Sequence, residues 1–417
     1  MPDVFISYAR SMAKVAQGIA EALQAQGFEV WRDDELPPHR DYTDVIEERL
    51  KAAKAVLVVW SGEAARSQWV RAEANVARGA GTLVQLRVDD AKLPLPFDQI
   101  QCADLSTWSG QRDHVEWRKI VDSLAALAGR PIVASKPPEQ QVRYCKAADG
   151  VRVAYAEVGD GPPLLKTANW LNHLEHDWEG PIWGPLYRCL SSRHTLIRYD
   201  ERGNGLSDRD VDDLSLEAFV RDMEAVVDAT GAKRFPIFAI SQGGAVAIEY
   251  AVRHPEQVSR LILVNAFANG WRTWSKDRVA AAEAMKVLMV TAWGTPSPAF
   301  RQLFTTLMLP GGSAPQWDWF DSLQRTTASP KMAARLFECF GRLDVRDRLG
   351  EVRAPTLVLH SRDDQLIPAQ LGQEIAAGIP GAKFIGLASN NHILLGGEPA
   401  FERVTDEIQA FLEQDPT

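Results

Sequence analysis

Three residue types that cooperate in nucleophilic catalysis follow predicted strands in the C-terminal part of the chain. Ser241 stands among small residues in 239–243 (Ala-Ile-Ser-Gln-Gly), directly after an apolar run, and Asp364 and His392 follow later apolar runs. In acyl transfer the serine attacks, the histidine takes its proton, and the aspartate fixes the imidazole tautomer and stabilises the imidazolium. The pattern therefore predicts a triad of Ser241, His392 and Asp364, with Asp363 as the alternative acid.

A serine nucleophile also needs hydrogen-bond donors for the oxyanion that forms on its substrate. The sharp strand-to-helix turn at the nucleophile requires small neighbours, and Gly243 and Gly244 supply them. We expect the backbone N–H of Gln242, the residue after the serine, to donate to the oxyanion.

A second group of candidate residues lies near the N-terminus, in residues 67–73 (Ser-Gln-Trp-Val-Arg-Ala-Glu). Glu73 comes four residues after Trp69, so both side chains are predicted to project from one helix face or its entry loop. Two other interpretations stay open. A glutamate early in a helix is favoured by the helix dipole alone, and Trp69 can be a core residue.

The elements that position the N-terminal group alternate between strand and helix patterns, which predicts a parallel sheet covered on both faces. Strands are predicted at 3–8, 28–31, 55–60, 82–88 and near Leu105, and helices at 12–26, 42–53, 68–79 and 114–127.

The C-terminal group requires a larger sheet. A hairpin of 142–145 and 151–158 opens it, and further strands are predicted at 163–166, 195–199, 236–239, 261–265, 356–360 and 383–386. Residues from about 266 to 353 are too many for a loop, so they predict a helical cap over a pocket. Several of the chain's 13 tryptophans fall in this cap, which favours an apolar or aromatic substrate.

The chain of 417 residues is therefore predicted to hold two domains, residues 1–130 and 141–417, joined by a proline-containing linker at 131–140.

Composition excludes several other classes of protein. The formal net charge of −9 argues against a nucleic-acid binder, whose footprint would be a basic face. The four cysteines are scattered and His173-x-x-His176 is a weak pattern, so no metal site or disulfide framework is predicted. No apolar run approaches the roughly 20 residues of a membrane span. The N-terminus lacks a signal-peptide pattern, and we expect a cytoplasmic protein without membrane contact.

The N-terminal motifs resemble a Toll/interleukin-1 receptor (TIR) domain over about residues 1–128. The resemblance rests on residues 3–8 (Asp-Val-Phe-Ile-Ser-Tyr), 27–31 with Asp33-Asp34, and 67–73. It implies a flavodoxin-like fold. The family includes adaptors that only bind each other and enzymes that cleave the nicotinamide–ribose bond of NAD.

In those enzymes a glutamate acts at the position that matches Glu73, and a carboxylate there stabilises the oxocarbenium-like sugar that is left by nicotinamide. The resemblance also implies that Tyr8, Arg10, Trp31 and Trp69 are candidate substrate-binding residues. NAD would be a substrate, and no cofactor is predicted. His39 follows Pro37-Pro38 where the family usually has glycine, in a loop that often mediates homotypic TIR–TIR assembly.

Residues 141–417 resemble the α/β-hydrolase superfamily, through residues 200–207 (Asp-Glu-Arg-Gly-Asn-Gly-Leu-Ser) and the chain order Ser241, Asp364, His392. The resemblance implies a mostly parallel eight-stranded sheet with a helical cap. The resemblance also implies a second oxyanion donor, a loop N–H near Trp170 in residues 167–170 (Thr-Ala-Asn-Trp). These residues differ from the His-Gly that most relatives carry, and peroxidase-type, esterase-type and carbon–carbon-bond hydrolases all remain open.

The leading hypothesis is a bacterial two-domain hydrolase. Ser241, His392 and Asp364 cleave an ester- or amide-type bond of a small molecule, and the TIR domain cleaves NAD through Glu73, in stress signalling or anti-phage defence. In one alternative the TIR domain is a non-catalytic homotypic interaction module. In another the hydrolase domain is a ligand sensor.

Overall fold

The computed structural model describes residues 2–32, 42–106, 108, 115–129, 140–293, 295 and 299–414. The chain divides into two compact units, Met1–Lys136 and Pro137–Thr417. Residues 33–34, 37–39 and 131–139, which carry the acidic pair, the proline pair with His39, and most of the predicted linker, lie outside the described residues.

The N-terminal unit is a five-stranded parallel sheet with the strand order β2-β1-β3-β4-β5. Its strands are β1 (Val4–Ser7), β2 (Val30–Trp31), β3 (Ala55–Trp60), β4 (Leu83–Arg87) and β5 (Ala103–Asp104). Its helices are α1 (Ala13–Gln24), α2 (Tyr42–Ala52), α3 (Gln68–Ala80) and α4 (Val115–Leu127). This order is that of flavodoxin-like folds, and the predicted fold class is confirmed.

Helices cover both faces of this sheet. Residues of α1 and α4 pack on one face with Val4 and Ile6, whereas residues of α2 and α3 pack on the other with Phe5. Because both faces are covered, the central strand β3 is a continuous apolar run whose six residues are all buried.

The C-terminal unit is an eight-stranded sheet with the order β13-β12-β11-β10-β8-β9-β7-β6. Its strands are β6 (Gln141–Lys146), β7 (Arg152–Val158), β8 (Pro163–Lys166), β9 (Thr195–Tyr199), β10 (Phe235–Ile240), β11 (Val258–Val264), β12 (Thr356–Ser361) and β13 (Lys383–Leu387). The β6–β7 and β7–β9 pairs are antiparallel and the others are parallel, so the predicted mostly parallel sheet is confirmed.

Helices surround this second sheet and cover one end of it. The helices outside the cap are α5 (Leu174–Glu179), α6 (Trp183–Ser191), α7 (Leu216–Thr230), α8 (Gly243–Arg253), α13 (Ala369–Gly378) and α14 (Pro399–Glu413). The cap consists of α9 (Lys276–Ala292), α10 (Ala299–Met308), α11 (Ala314–Thr327) and α12 (Pro330–Arg342). Within the described residues, no helix has the length and apolar character to cross a membrane.

Candidate active sites

Ser241 occupies a strained turn between β10 and α8. Its φ is 54°, a left-handed conformation that is uncommon for residues other than glycine. Its N–H donates to the Val264 carbonyl at 3.2 Å, and its own carbonyl accepts from Gly244 at 3.0 Å. A Cβ on Gly243 would lie 2.6 Å from the Ala168 carbonyl oxygen, and one on Gly244 would lie 2.6 Å from the Ala266 Cβ. The turn therefore needs both glycines for close packing.

Asp364 and His392 are in direct contact. The His392 Nδ1 lies 2.7 Å from the Asp364 Oδ2, and both residues are buried. The other carboxylate oxygen accepts from the N–H groups of Leu366 at 2.8 Å and Ile367 at 2.9 Å. Asp363, the alternative acid, is exposed, so the geometry favours Asp364 as the partner of the imidazole.

Asn265 links the serine turn to the histidine loop. It follows Val264, whose carbonyl holds the Ser241 N–H, and its own φ is 46°. The Asn265 Nδ2 donates to the His392 carbonyl at 2.6 Å, and its Oδ1 accepts from the Ser361 N–H at 2.7 Å. One buried amide thus fixes the backbone of His392 against the strand beside the nucleophile.

The loop of residues 167–170 is held by a buried lysine. The Lys166 Nζ donates to the Thr167 carbonyl at 2.9 Å and to the Asn169 Oδ1. Burial lowers the pKa of the Lys166 ammonium group well below its ordinary value. The indole of Trp170 lies in an aromatic cluster, stacked at 5.7 Å on Trp293. The loop that is predicted to carry an oxyanion donor is therefore anchored at both ends.

A buried carboxyl group lies next to the predicted oxyanion donor. Burial, with a smaller effect of Asp222, raises the pKa of Glu201 to about 8, although the Gln242 side chain lowers it. The Glu201 Oε1 accepts from the Asn204 side chain at 2.8 Å. Burial thus favours the uncharged form of the Glu201 carboxyl group.

A cavity of about 200 Å³ opens between the cap and the sheet. Ser241, Gln242 and Trp170 line it together, next to aromatic and aliphatic cap residues. The described lining residues, which include one charged side chain, are Trp170, Ser241, Gln242, Phe267, Trp271, Trp274, Arg278, Ala281, Ala282, Met285, Phe304, Leu307, Met308, Phe337, Phe340, Gln365, Leu366 and Ile367. The arrangement suits a small, largely apolar ligand.

The cap is hydrogen-bonded to the histidine loop itself. The His392 N–H donates to the carbonyl of Met308, the last residue of α10, at 2.9 Å. The Gly311 N–H, just beyond that helix, donates to the Asn391 Oδ1 at 2.8 Å. The position of His392 therefore depends on the cap as well as on the sheet.

In the N-terminal unit, Glu73 lies beside the carboxyl end of β1. The Ser7 Oγ, on the last residue of that strand, donates to the Glu73 Oε2 at 2.5 Å. In the sheet, β1 lies between β2 and β3. The chain runs from β1 to β2 in one direction and continues with β3 on the other side of β1, so the strand order reverses at β1. Ligands of open α/β sheets bind at such a point.

The four candidate substrate-binding residues lie in different surroundings. Trp31 is buried and stacks on Phe5 at 5.1 Å, on the face that α3 covers. Trp69 is 60% exposed, although it shares α3 with the half-buried Glu73. Tyr8 packs against the core of the opposite face, and Arg10 is exposed in a short 3₁₀ turn. The residue that the structure shows bonded to Glu73 is Ser7, which the sequence analysis did not name as a site residue.

Comparison with known families identifies both units. The model of the alpha/beta hydrolase fold matches residues 175–399, more than half of the chain. The chain belongs to the alpha/beta hydrolase fold family. The TIR domain model matches residues 4–121, and the N-terminal unit is a TIR domain.

Curated relatives match the hydrolase domain. A putative carbamate hydrolase, RutD, of Azorhizobium caulinodans is 28% identical over 264 residues, which are 61% of this chain and 91% of that protein. The AB hydrolase superfamily protein YisY of Bacillus subtilis is 26% identical over 290 residues, 65% of this chain and 97% of that protein. The solved esterase of Exiguobacterium antarcticum shares the fold, with a TM-score of 0.57, 20% identity, and coverage of 66% of this chain and 100% of its own.

Two residues of the alpha/beta hydrolase domain were missed by the sequence analysis. Lys166 ends an apolar strand, and Asn265 directly follows one. A single polar residue at the carboxyl end of a buried strand is the available signal, because such an end faces the site in open α/β sheets. The sequence does not reveal their partners, since Asn265 is bonded to a residue 127 positions away.

Proposed function

We propose that the alpha/beta hydrolase domain is a serine hydrolase that cleaves an ester-type bond of a small apolar acyl substrate. The observation that carries this proposal is the 2.7 Å bond between His392 Nδ1 and Asp364 Oδ2, which Asn265 connects to the strained turn of Ser241. Strain at a buried serine that heads a helix is a feature of nucleophile turns.

The reaction proceeds in two steps. The Ser241 Oγ attacks the carbonyl carbon, and the hydroxyl proton of the serine passes to the His392 Nε2. Asp364 accepts a hydrogen bond from the His392 Nδ1–H and stabilises the imidazolium. The oxyanion accepts from the Gln242 N–H and from a donor of the Trp170 loop. The imidazolium then protonates the leaving group, and a water molecule, activated by the same imidazole, hydrolyses the acyl-enzyme.

The cavity and the relatives support this substrate class. The walls of the cavity are mainly aromatic and aliphatic, which favours an apolar group beside Ser241. The names of the relatives, a putative carbamate hydrolase and an esterase, support hydrolysis at an acyl carbon.

Labelling and turnover test the proposal. We expect a fluorophosphonate probe to label the wild-type protein, and short-chain p-nitrophenyl esters to be hydrolysed. Ser241→Ala should abolish both signals, whereas Ser192→Ala, at an exposed serine at the end of α6, should leave both unchanged. Turnover that persists in Ser241→Ala would refute the proposed nucleophile.

A second activity is favoured by the position of Glu73. We propose that the TIR domain cleaves NAD, with the Glu73 carboxylate stabilising the cationic sugar as nicotinamide leaves. The supporting observation is the Ser7–Glu73 bond at the point where the strand order reverses. Ser7 orients the carboxylate from the strand end.

Nicotinamide release from NAD, measured with the full chain at several protein concentrations, tests this second activity. Release should be lost in Glu73→Gln and retained in Glu21→Gln, at an exposed glutamate on α1. A steep concentration dependence would indicate homotypic TIR assembly. No release at any concentration would instead favour a TIR domain that only binds other TIR domains.

A further inference from the structure

One charged side chain, that of the exposed residue Arg278, lines the otherwise uncharged wall of the Ser241 cavity. Arg278 lies on α9, and the residues of α9 that line the cavity are Arg278, Ala281, Ala282 and Met285. Their spacing of three, four and seven residues places them on one face of the helix. The arginine therefore continues the apolar stripe that covers the cavity.

Two cations close to this part of the cap, Lys286 and Arg272, are paired with carboxylates, whereas Arg278 is not. Lys286, on the same helix, pairs with Glu283 at 2.7 Å and with Glu338 at 2.8 Å, and Arg272 pairs with the same two acids. No carboxylate of the described residues lies within ion-pair distance of Arg278. Arg278 thus presents a positive charge, on an exposed residue, to the cavity that it helps to line.

The exposed Arg278 guanidinium group makes two long contacts with the protein. Its Nη1 donates to the Leu366 carbonyl at 3.4 Å, and its carbon lies 5.8 Å from the centre of the Trp274 ring. Leu366 and Trp274 both line the cavity, and the Leu366 N–H donates to Asp364, the acid of the proposed triad. A guanidinium carries five N–H donors, so most of them remain for a ligand that occupies the cavity.

We propose that Arg278 is a specificity residue that selects substrates with a carboxylate at the end remote from the scissile ester. This inference rests on the proposed serine hydrolase function. The apolar middle of the substrate contacts the aromatic wall, and its carboxylate accepts a bidentate pair of hydrogen bonds from Arg278. Half-esters of dicarboxylic acids have this chemistry.

Matched esters test the inference. The probes are p-nitrophenyl half-esters of adipate and suberate, whose chains are too long for rapid cyclic anhydride formation, each compared with the neutral methyl p-nitrophenyl diester of the same acid. For at least one chain length, the wild-type protein should have a higher kcat/KM for the anion than for the neutral ester. Arg278→Gln should lower that ratio about tenfold or more, mainly through KM. Raising the salt concentration should lower the wild-type ratio as well.

Three variants make the result specific to the position. Lys276→Gln removes one positive charge from the same helix but not from the cavity wall, and should leave the ratio unchanged. Arg278→Lys should retain part of the preference, and Arg278→Glu should reverse it. Fluorophosphonate labelling of Ser241 checks the fold of each variant. If Arg278→Gln labels poorly, the anion-to-neutral ratio in Arg278→Glu, which should be reversed, tests the inference in its place.

The outcomes separate this inference from the function beneath it. If Ser241 hydrolyses the neutral esters while the ratio is the same in wild type, Arg278→Gln and Arg278→Glu, the carboxylate preference is refuted and the hydrolase function stands. If neither the neutral nor the anionic esters are turned over, the proposed function is refuted, and the inference with it.

Discussion

Gly243→Ala should disable the oxyanion site while leaving the triad in place. The added Cβ would lie 2.6 Å from both the Ala168 carbonyl oxygen and the Thr167 Oγ1, about 0.8 Å short of the 3.4 Å at which ordinary contact begins. The threonine hydroxyl can rotate away, but the Ala168 oxygen belongs to the backbone. The loop that carries Trp170 must therefore move away from the nucleophile turn.

The size of the effect follows from hydrogen-bond geometry. A shift of about 0.8 Å lengthens a bond of roughly 2.9 Å beyond the usual N–H···O range. Losing one oxyanion donor costs about 10²- to 10³-fold in kcat. We expect kcat to fall about 100-fold with little change in KM, and the overpacking to cost about 1–3 kcal/mol of stability.

The assay is p-nitrophenyl ester hydrolysis at 25 °C, with the folded fraction measured by urea denaturation. Gly350→Ala is the matched control, because a Cβ there meets no atom within 4 Å. A kcat for Gly243→Ala within threefold of the wild-type value would refute the assignment of this loop to the oxyanion site.

Three further predictions concern stability and positioning. Glu201 has a folded-state pKa of about 8 against an ordinary 4.5, so its contribution to stability is complete below pH 4.5 and is lost as pH rises through 8. Urea unfolding, monitored by the loss of esterase activity, should give the wild type an unfolding free energy a few kcal/mol lower at pH 8 than at pH 5. Glu201→Gln should reduce this difference between the two pH values. An equal difference in wild type and Glu201→Gln would contradict the raised pKa of Glu201. Asn265→Gly keeps the positive φ but removes the amide that holds His392, so kcat should fall about tenfold with KM unchanged, and unchanged kcat would exclude the positioning role. Ser241→Gly relieves a left-handed φ of 54° and should raise the unfolding free energy by about 1 kcal/mol over Ser241→Ala in calorimetry, a gain that an unstrained turn would not give.

Continuous apolar runs were predicted best from the sequence. β3 has the predicted ends, Ala55 and Trp60, because polar Lys54 and Ser61 flank a run buried on both faces. β2 was predicted to begin at Phe28, but it begins at Val30. The reason is local, since the Phe28 N–H donates to the Leu23 carbonyl at 3.2 Å and closes the end of α1.

The contents of the sites were harder to predict than the strands beneath them. Helix α9 carries apolar residues on more than one side, with Val287 and Val290 exposed, so the pattern did not show which side covers the cavity. The i to i+4 spacing of Trp69 and Glu73 on α3 did not indicate the surroundings of either side chain, since Trp69 is 60% exposed and Glu73 bonds Ser7, 66 residues away. Such pairings depend on tertiary packing, which local periodicity does not encode.

The bonds from Met308 and Gly311 to the histidine loop constrain how this domain can be recombined with its relatives. Caps are attractive units to exchange, because they carry most of the substrate-contacting wall. Here, however, the cap contributes a backbone partner to His392, the residue that we propose as the proton acceptor. A transplanted cap that changes the cavity wall but lacks these hydrogen-bond partners would change the specificity and would also leave the His392 loop without two of its hydrogen bonds. A working chimera therefore has to take residues 276–342 and residues 389–398 from the same parent.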